Sequence, residues 1–316
     1  MEVKQKWRFA FIVHPRKLDD VFLKYPLLRS FPPERVRASL EQMPPCLLSP
    51  VMRFNESEPK ELGWLLAILL TPDLIEGNPD LARQKIDEAI TAAKQAGATL
   101  VGLGGWNASL ARDRQEFLPY QVTVTTGLKM TVATILSDLG ELCRWKGIPM
   151  AEATVAVVGS AGAVGRATIL ELKGKVKSLV SLSAQEKDRS CVREADLVVV
   201  ATRALGPVLH AEDFKEEAIL YDVSQPSNLP ADLCVARPDL VILQGGLVKT
   251  PGIDCGPFLR LPPETAFACL AETVLLALEG KLSDGAAGID SSDRVNEIAE
   301  KAQRYGFVSA MKLDES

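Results

Sequence analysis

One stretch decides more about this chain than any other: Val155-Ala156-Val157-Val158, four apolar residues of strand character, run into Gly159-Ser160-Ala161-Gly162-Ala163-Val164-Gly165 and then into the helix-forming run 166–172. The spacing is G-x-x-G-x-x-G, not the commoner G-x-G-x-x-G. The first glycine allows a tight turn, Ser160, Ala161 and Ala163 keep the backbone open to an anion, and Gly165 lets the helix close on the strand while its N-terminus near Val164 faces negative charge. A bare strand-to-helix turn would also use these glycines, but the context favours a dinucleotide. Further strand patterns at 178–182, 197–201, 219–223 and 240–243 then make a Rossmann-type doubly wound parallel sheet the economical α/β reading.

At the end of the second strand, where NAD-binding chains place an acidic residue, this chain has Ser183, and the first acid is Glu186. Ser183, Lys187 and Arg189 suit a ribose 2′-phosphate, which points to NADP(H); solvated surface charge is the alternative for Lys187 and Arg189. Only about a dozen residues separate this strand from the next, too few for a full crossover helix with its loops. Thr202, in Ala201-Thr202-Arg203-Ala204, and Gly246, in Gln244-Gly245-Gly246, follow later strands, on the carboxyl edge where a ligand of such a sheet lies.

The first half reads as a second α/β domain, expected to bind substrate. Strand patterns at 7–13 and 63–70 bracket a short helix at 32–43, and Asn78-Pro79 and Gly97 mark the ends of an amphipathic helix with Leu81, Ile86, Ile90 and Ala93 on one face. Strands ending in Gly104-Gly105 and Gly127 follow, and residues 103–107 suit either the approach of backbone and Asn107 to a ligand or a plain glycine turn. The expected domains are 1–127 for substrate and catalysis, 128–150 as a linking helix, 151–260 for the dinucleotide, and 261–316 as C-terminal helices packing back toward the cleft.

With 316 residues, 47% hydrophobic and 24% charged, the chain can bury a full core. No apolar run reaches the ~20 residues of a membrane span, which leads to the expectation of a cytoplasmic protein. The six cysteines form no C-x-x-C pair, and two histidines cannot complete a zinc site with them, so no metal is expected. A net charge of −5 without a basic stripe argues against nucleic acid.

Within Glu264-Thr265-Ala266-Phe267-Ala268-Cys269-Leu270-Ala271-Glu272, a helix beginning near Glu264 would put Cys269 in its second turn and Glu272 on the same face, semi-buried. From these residues alone, Cys269 is either a small core residue or a nucleophile.

A wider pattern bears on that choice. Arg8–Pro15, Gly102–Trp106, Val124–Gly127, the three-glycine loop, Asp222–Asn228, Leu243–Val248, Phe267–Gly280 and Asn296–Phe307 together resemble the long-chain acyl-[acyl-carrier-protein] reductases of cyanobacteria and their bacterial relatives, some of which are labelled amino acid or shikimate/quinate dehydrogenases. The resemblance implies NADPH-dependent reduction of an acyl thioester to an aldehyde, with Cys269 acylated and a carrier protein or coenzyme A delivering the acyl group. Such chemistry needs an oxyanion stabiliser and a proton donor. The Gly245-Gly246 amides, His14 and Lys129 are the expected groups, beside Glu272. Leu128, Lys129 and Met130 depart from the family pattern, as does the shortened segment after the second nucleotide-domain strand. Direct hydride transfer to a hydroxy or amino acid, and a nucleotide sensor without turnover, stay open beside the thioester reading.

Overall fold

The apolar strand expected near residue 7 forms β1 (Phe9–Val13), an inner strand of a sheet that also takes a short edge strand from residues 253–254. A computed structural model describes residues 8–54, 59–111, 121–280 and 292–313. The chain divides into two compact units: residues 1–128, 249–288 and 300–307 in the first, and 129–248, 289–299 and 308–316 in the second.

In the first unit β1 is followed by α1 (Leu18–Lys24), α2 (Pro33–Gln42), β2 (Cys46–Arg53), β3 (Lys60–Ala67), α3 (Pro72–Gly77), α4 (Pro79–Gln95), β4 (Leu100–Leu103), α5 (Trp106–Leu110) and β5 (Thr123–Thr125). β3, β1, β4 and β5 are parallel neighbours in that order; β2 lies antiparallel beside β3, with the short strand Ile253–Asp254 on its outer edge. The expected strand at 63–70 is thus shifted, ending at Ala67. The α4 boundaries follow the sequence signals. Pro79 occupies the first turn and the Asn78 side chain accepts the Leu81 N–H at 3.1 Å. Its Ala82, Ile86, Ala89, Ile90 and Ala93 face Ala10, Ile12, Trp64 and Val101 in one core, where truncating a residue such as Ile90 to alanine costs about 2–5 kcal/mol.

The second unit holds α6 (Leu128–Lys146, its first residue in the first unit), β6 (Thr154–Val158), α7 (Ala163–Leu172), β7 (Ser178–Leu182), β8 (Leu197–Val200), β9 (Ile219–Asp222), α8 (Leu233–Ala236) and β10 (Val241–Gln244). The strands are all parallel, in the order β10-β9-β8-β6-β7. This is the doubly wound α/β sheet expected from the alternation. One face is covered by α6 and α7 through Ile135, Leu139, Leu142 and Leu172. The other is covered by short turns through Val192, Leu209, Phe214 and Leu229. Between β7 and β8 there is only a single-turn helix, Ser190–Glu194, in place of a crossover helix.

The late segment differs from the sequence expectation. Pro262 and Pro263 do not open a helix: Glu264 takes the left-handed conformation at φ 50°, Thr265–Phe267 is extended, and α9 (Ala268–Glu279) begins only after it. Glu264 is held there by its own backbone carbonyl, which accepts from Thr250 N–H at 2.8 Å, and by its carboxylate, which accepts from Gly252 N–H at 2.6 Å. The final helix, α10 (Ser292–Arg304), buries Val295, Ile298 and Ala302 as its spacing predicts. Among the described residues no helix is long and apolar enough to cross a membrane.

Candidate active site

The late start of α9 moves Cys269 from an expected second turn into the first. Phe267 at the N-cap gives no side-chain hydrogen bond, so the first N–H groups of the helix depend on whatever lies in front of them. What lies there is the thiol. Backbone N–H groups of Gly105, Leu270 and Cys269 itself act on the sulfur and lower its pKa, yet burial outweighs them, with the Glu272 charge adding to burial, and the thiol is pushed up to about 11. Cys269 as a residue keeps part of its surface and Gly105 is exposed.

The depth of α9 is set by missing side chains on the strands beneath it. A methyl at Gly102 in β4 would fall 2.2 Å from Thr273 Oγ1 of α9, and one at Gly127 would fall 2.1 Å from Cys269 Cα. Thr273 Oγ1 in turn donates to the Cys269 carbonyl at 3.0 Å. His14 follows β1, Gly105 follows β4 and Gly127 follows β5. The thiol therefore sits over the carboxyl ends of three adjacent parallel strands, where ligands of open α/β sheets bind.

His14 holds the Gly105 turn. Its Nε2 accepts the Trp106 N–H at 3.0 Å, so the ring proton resides on Nδ1, which faces the Pro15 carbonyl at 3.1 Å. Burial is the main cause that lowers this imidazole to about 4, and both nitrogens are engaged. The expected proton donor is thus a neutral acceptor with no proton to offer at Nε2. Asn107, fully buried, donates from Nδ2 to the Ile12 carbonyl at 3.1 Å, and Gly104 N–H donates to the same oxygen at 3.0 Å. Asn107 thereby fixes the other side of the turn.

Glu272 is buried at 3% exposure and accepts the hydroxyl hydrogen of Thr125. Thr125 Oγ1 accepts the Gly127 N–H at 3.2 Å. Carboxylate, hydroxyl and amide form a chain that presses the Gly127 turn against Cys269. Thr125 escaped the sequence reading as a site residue, and Gly105 entered it only as part of the turn 103–107; their place at strand ends beside glycines becomes specific only once α9 is docked. Lys129, half-buried in the first turn of α6, belongs to the other unit.

In the second unit the three-glycine loop has the form a dinucleotide requires. Gly159 sits at φ 102°, where a methyl would meet the Ala201 carbonyl oxygen at 2.2 Å, and a methyl on Gly165 would meet the Gly159 carbonyl oxygen at 2.3 Å. Gly159 and Ser160 N–H groups donate to the Leu182 carbonyl, which fixes the turn. Ala161, Gly162 and Ala163 are exposed and the α7 N-terminus has no side-chain cap, leaving N–H groups near Val164 directed outward. These residues fit a pyrophosphate.

At the β7 edge, Ser183 is bound by Gln185, and Arg189 spans the Ser183 and Ala184 carbonyls at 3.1 and 3.0 Å. Thr202 braces the loop after β8. Its hydroxyl donates to Asn228 Oδ1, and its N–H donates to Ser224 Oγ at 3.1 Å. The Gly245 and Gly246 amides are not free to stabilise an oxyanion: the first donates to the Asp222 carbonyl at 2.8 Å, the second to Tyr221 OH at 3.0 Å. Tyr221 OH donates to Asp138, whose carboxyl burial raises to about 6. Gly246 is thus a fixed turn beside the sheet's carboxyl edge. No group of three or more potential metal ligands occurs among the described residues.

No protein-family model matches the chain. It is 28% identical over 262 residues to the long-chain acyl-[acyl-carrier-protein] reductase of Synechococcus elongatus, across 72% of this chain and 76% of that protein. It is 26% identical over 254 residues to aminotransferase PigE of a Serratia species, across 71% of this chain but only 29% of that protein. A solved structure of the bifunctional FolD methylenetetrahydrofolate dehydrogenase/cyclohydrolase of Campylobacter jejuni aligns with 88% of this chain and 89% of its own at a TM-score of 0.41 and 13% identity.

Proposed function

We propose that the protein is an NAD(P)-dependent oxidoreductase that reduces an acyl thioester to an aldehyde through an acyl-Cys269 intermediate. The observation that carries this reading is a cysteine in the uncapped first turn of α9, faced by the Gly105 amide at the carboxyl ends of β1, β4 and β5. A purely structural cysteine has no use for three N–H donors around its sulfur. A thioester carbonyl does, because the negative charge that develops on its oxygen during attack can be met by the same group of amides. The similarity to an acyl-[acyl-carrier-protein] reductase supports the reading independently.

The Cys269 sulfur attacks the thioester carbon. A new sulfur–carbon bond forms, the carrier sulfur departs, and the thiol proton leaves with it. Glu272 and Thr125 hold the Gly127 turn behind the sulfur, while His14 and Asn107 hold the Gly105 turn in front of it. The loop Gly159–Gly165, with Ser183 and Thr202 at neighbouring strand ends and Gly246 farther along the edge, would bind the nucleotide, and NADP(H) is the form we favour. When bound, the nicotinamide supplies the hydride that converts the acyl carbon to an aldehyde, releasing Cys269 as thiolate.

Intact mass after incubation with a long-chain acyl-CoA tests the reading. One acyl adduct is expected on the wild-type protein and none on Cys269→Ser, with NADPH consumption and aldehyde release in the wild type only. NADPH consumption with a keto acid in the absence of an adduct would overturn it in favour of direct hydride transfer.

A further inference from the structure

Three large apolar side chains project into solvent from one continuous stretch of the first unit: Leu23, Leu27 and Phe31, at 42%, 83% and 53% exposure. Leu23 lies on α1, Leu27 in the single-turn helix Pro26–Ser30, and Phe31 just beyond it. The same stretch has a separate inward set. Val21, Phe22, Tyr25, Leu28, Val36 and Leu40 already pack together in a core cluster, so the outward three add nothing to it. Pro26, Pro32 and Pro33 limit the backbone between the two sets. Scattered surface leucines are ordinary, but three in nine residues on a structured turn form a patch of the kind that meets a partner.

Along the chain the patch is interspersed with positive charge, while Asp19, one turn before Leu23 on α1, is paired with Lys17. Residues 21–37 contain Lys24, Arg29, Arg35 and Arg37 against Glu34 alone, in a chain of net charge −5. Arg37 is paired with Asp73. Lys24 instead donates to the Leu47 carbonyl at 2.6 Å, which brings a fourth exposed apolar residue (54%) alongside. Arg29 lies over the Phe22 ring at 5.4 Å. Among the described ion pairs neither Lys24, Arg29 nor Arg35 has a carboxylate partner. Apolar centre and arginine-rich margin together suit an acidic protein surface.

The position is also informative. β1 leads to His14 at the candidate active site, and α1 begins four residues later. The patch starts at the far end of that seven-residue helix, about 10 Å along its axis. We propose that Leu23, Leu27 and Phe31, with Lys24 and Arg29, form the docking surface for an acidic carrier protein that presents its acyl thioester to Cys269. This rests on the thioester reading.

The test compares two acyl donors on Leu27→Glu and Arg29→Glu, both surface changes checked for wild-type melting. With the acyl-loaded carrier protein at subsaturating concentration, the rate of Cys269 acylation is expected to fall about tenfold or more, the equivalent of about 1.4 kcal/mol. With acyl-CoA it should stay within about twofold of wild type, as expected for changes outside the reaction centre. Equal effects on both donors, or on neither, would overturn the proposal. Calorimetric binding of the unacylated holo carrier protein at low salt reads the surface without chemistry. Loss of binding in both variants supports the docking surface, and if Cys269 then accepts an acyl group from neither donor it is the thioester reading alone that fails. Unchanged carrier binding overturns the proposal, as does Leu27-dependent self-association or adsorption to phosphatidylglycerol vesicles in a protein that does not bind the carrier.

Discussion

Gly105 is the residue on which the sulfur's surroundings turn. It sits at φ 57° and ψ −128°, and a methyl there would lie 2.7 Å from His14 Nε2. Gly105→Ala must therefore rotate the peptide or displace the imidazole, and either change removes an N–H from Cys269. In the wild type, alkylation of Cys269 by iodoacetamide should accelerate about tenfold per pH step between 7 and 10, since only the thiolate reacts, with a midpoint at about 11. In Gly105→Ala that midpoint should move higher, and acylation by acyl-CoA should slow by about 10²-fold, as for other lost oxyanion donors. Unaltered alkylation and acylation in the variant would show that the amide does not serve the sulfur. His14 and Asn107 were visible in the sequence as polar residues at strand ends. Their roles were not, because each acts on a backbone group more than ninety positions away in sequence.

At the level of secondary structure, periodicity and capping signals located α4 and the five strands of the second unit to within a residue or two, and α6, α7 and α10 to within about four. Several short elements escaped, α1, α3 and α8 among them, as did β2 and the start of α9. β2 contains Ser49 and Pro50, residues that weaken a strand pattern, and its pairing with β3 has register shifts at Leu47/Ser49 and Val51/Met52. The start of α9 was obscured because the proline pair resembles a helix opening, while the left-handed Glu264 that postpones it depends on distant contacts with Thr250 and Gly252. The attachment of α9 to β5 leads to a prediction. Thr125→Val removes the hydroxyl between Glu272 and Gly127 and leaves a buried carboxylate and an amide without that partner, which should cost about 1–3 kcal/mol. Urea unfolding measures this, and the acylation rate should fall with it. A stability change without any loss of rate would mean that the chain only packs the helix.

For the protein as a whole, stability should depend on acid through two groups of opposite sign. Burial raises Asp138, 1% exposed, from 3.8 to about 6 in the folded state. Its contribution is complete below 3.8 and is lost as pH rises through about 6, a difference of about 3 kcal/mol. Burial lowers His14 from 6.5 to about 4, so its contribution is complete above 6.5 and is lost as pH falls through about 4. Asp138→Asn should therefore make stability rise more steeply between pH 4 and 6 than in the wild type, measured by urea unfolding across that range. A variant curve parallel to wild type would mean Asp138 is already charged at low pH.

The interleaved chain path has a consequence for synthesis. The sheet that supports Cys269 is nearly complete by Thr125, but the helix bearing the sulfur is made only after residues 129–248 of the second unit, at Ala268. On the ribosome, where domains form in order of emergence, Phe11 and Gly102 must wait uncovered for more than 140 residues of translation. The thiol pocket thus closes only when distant stretches of the chain have both been made, and a nascent chain halted before Ala268 exposes an apolar sheet face for chaperones to shield.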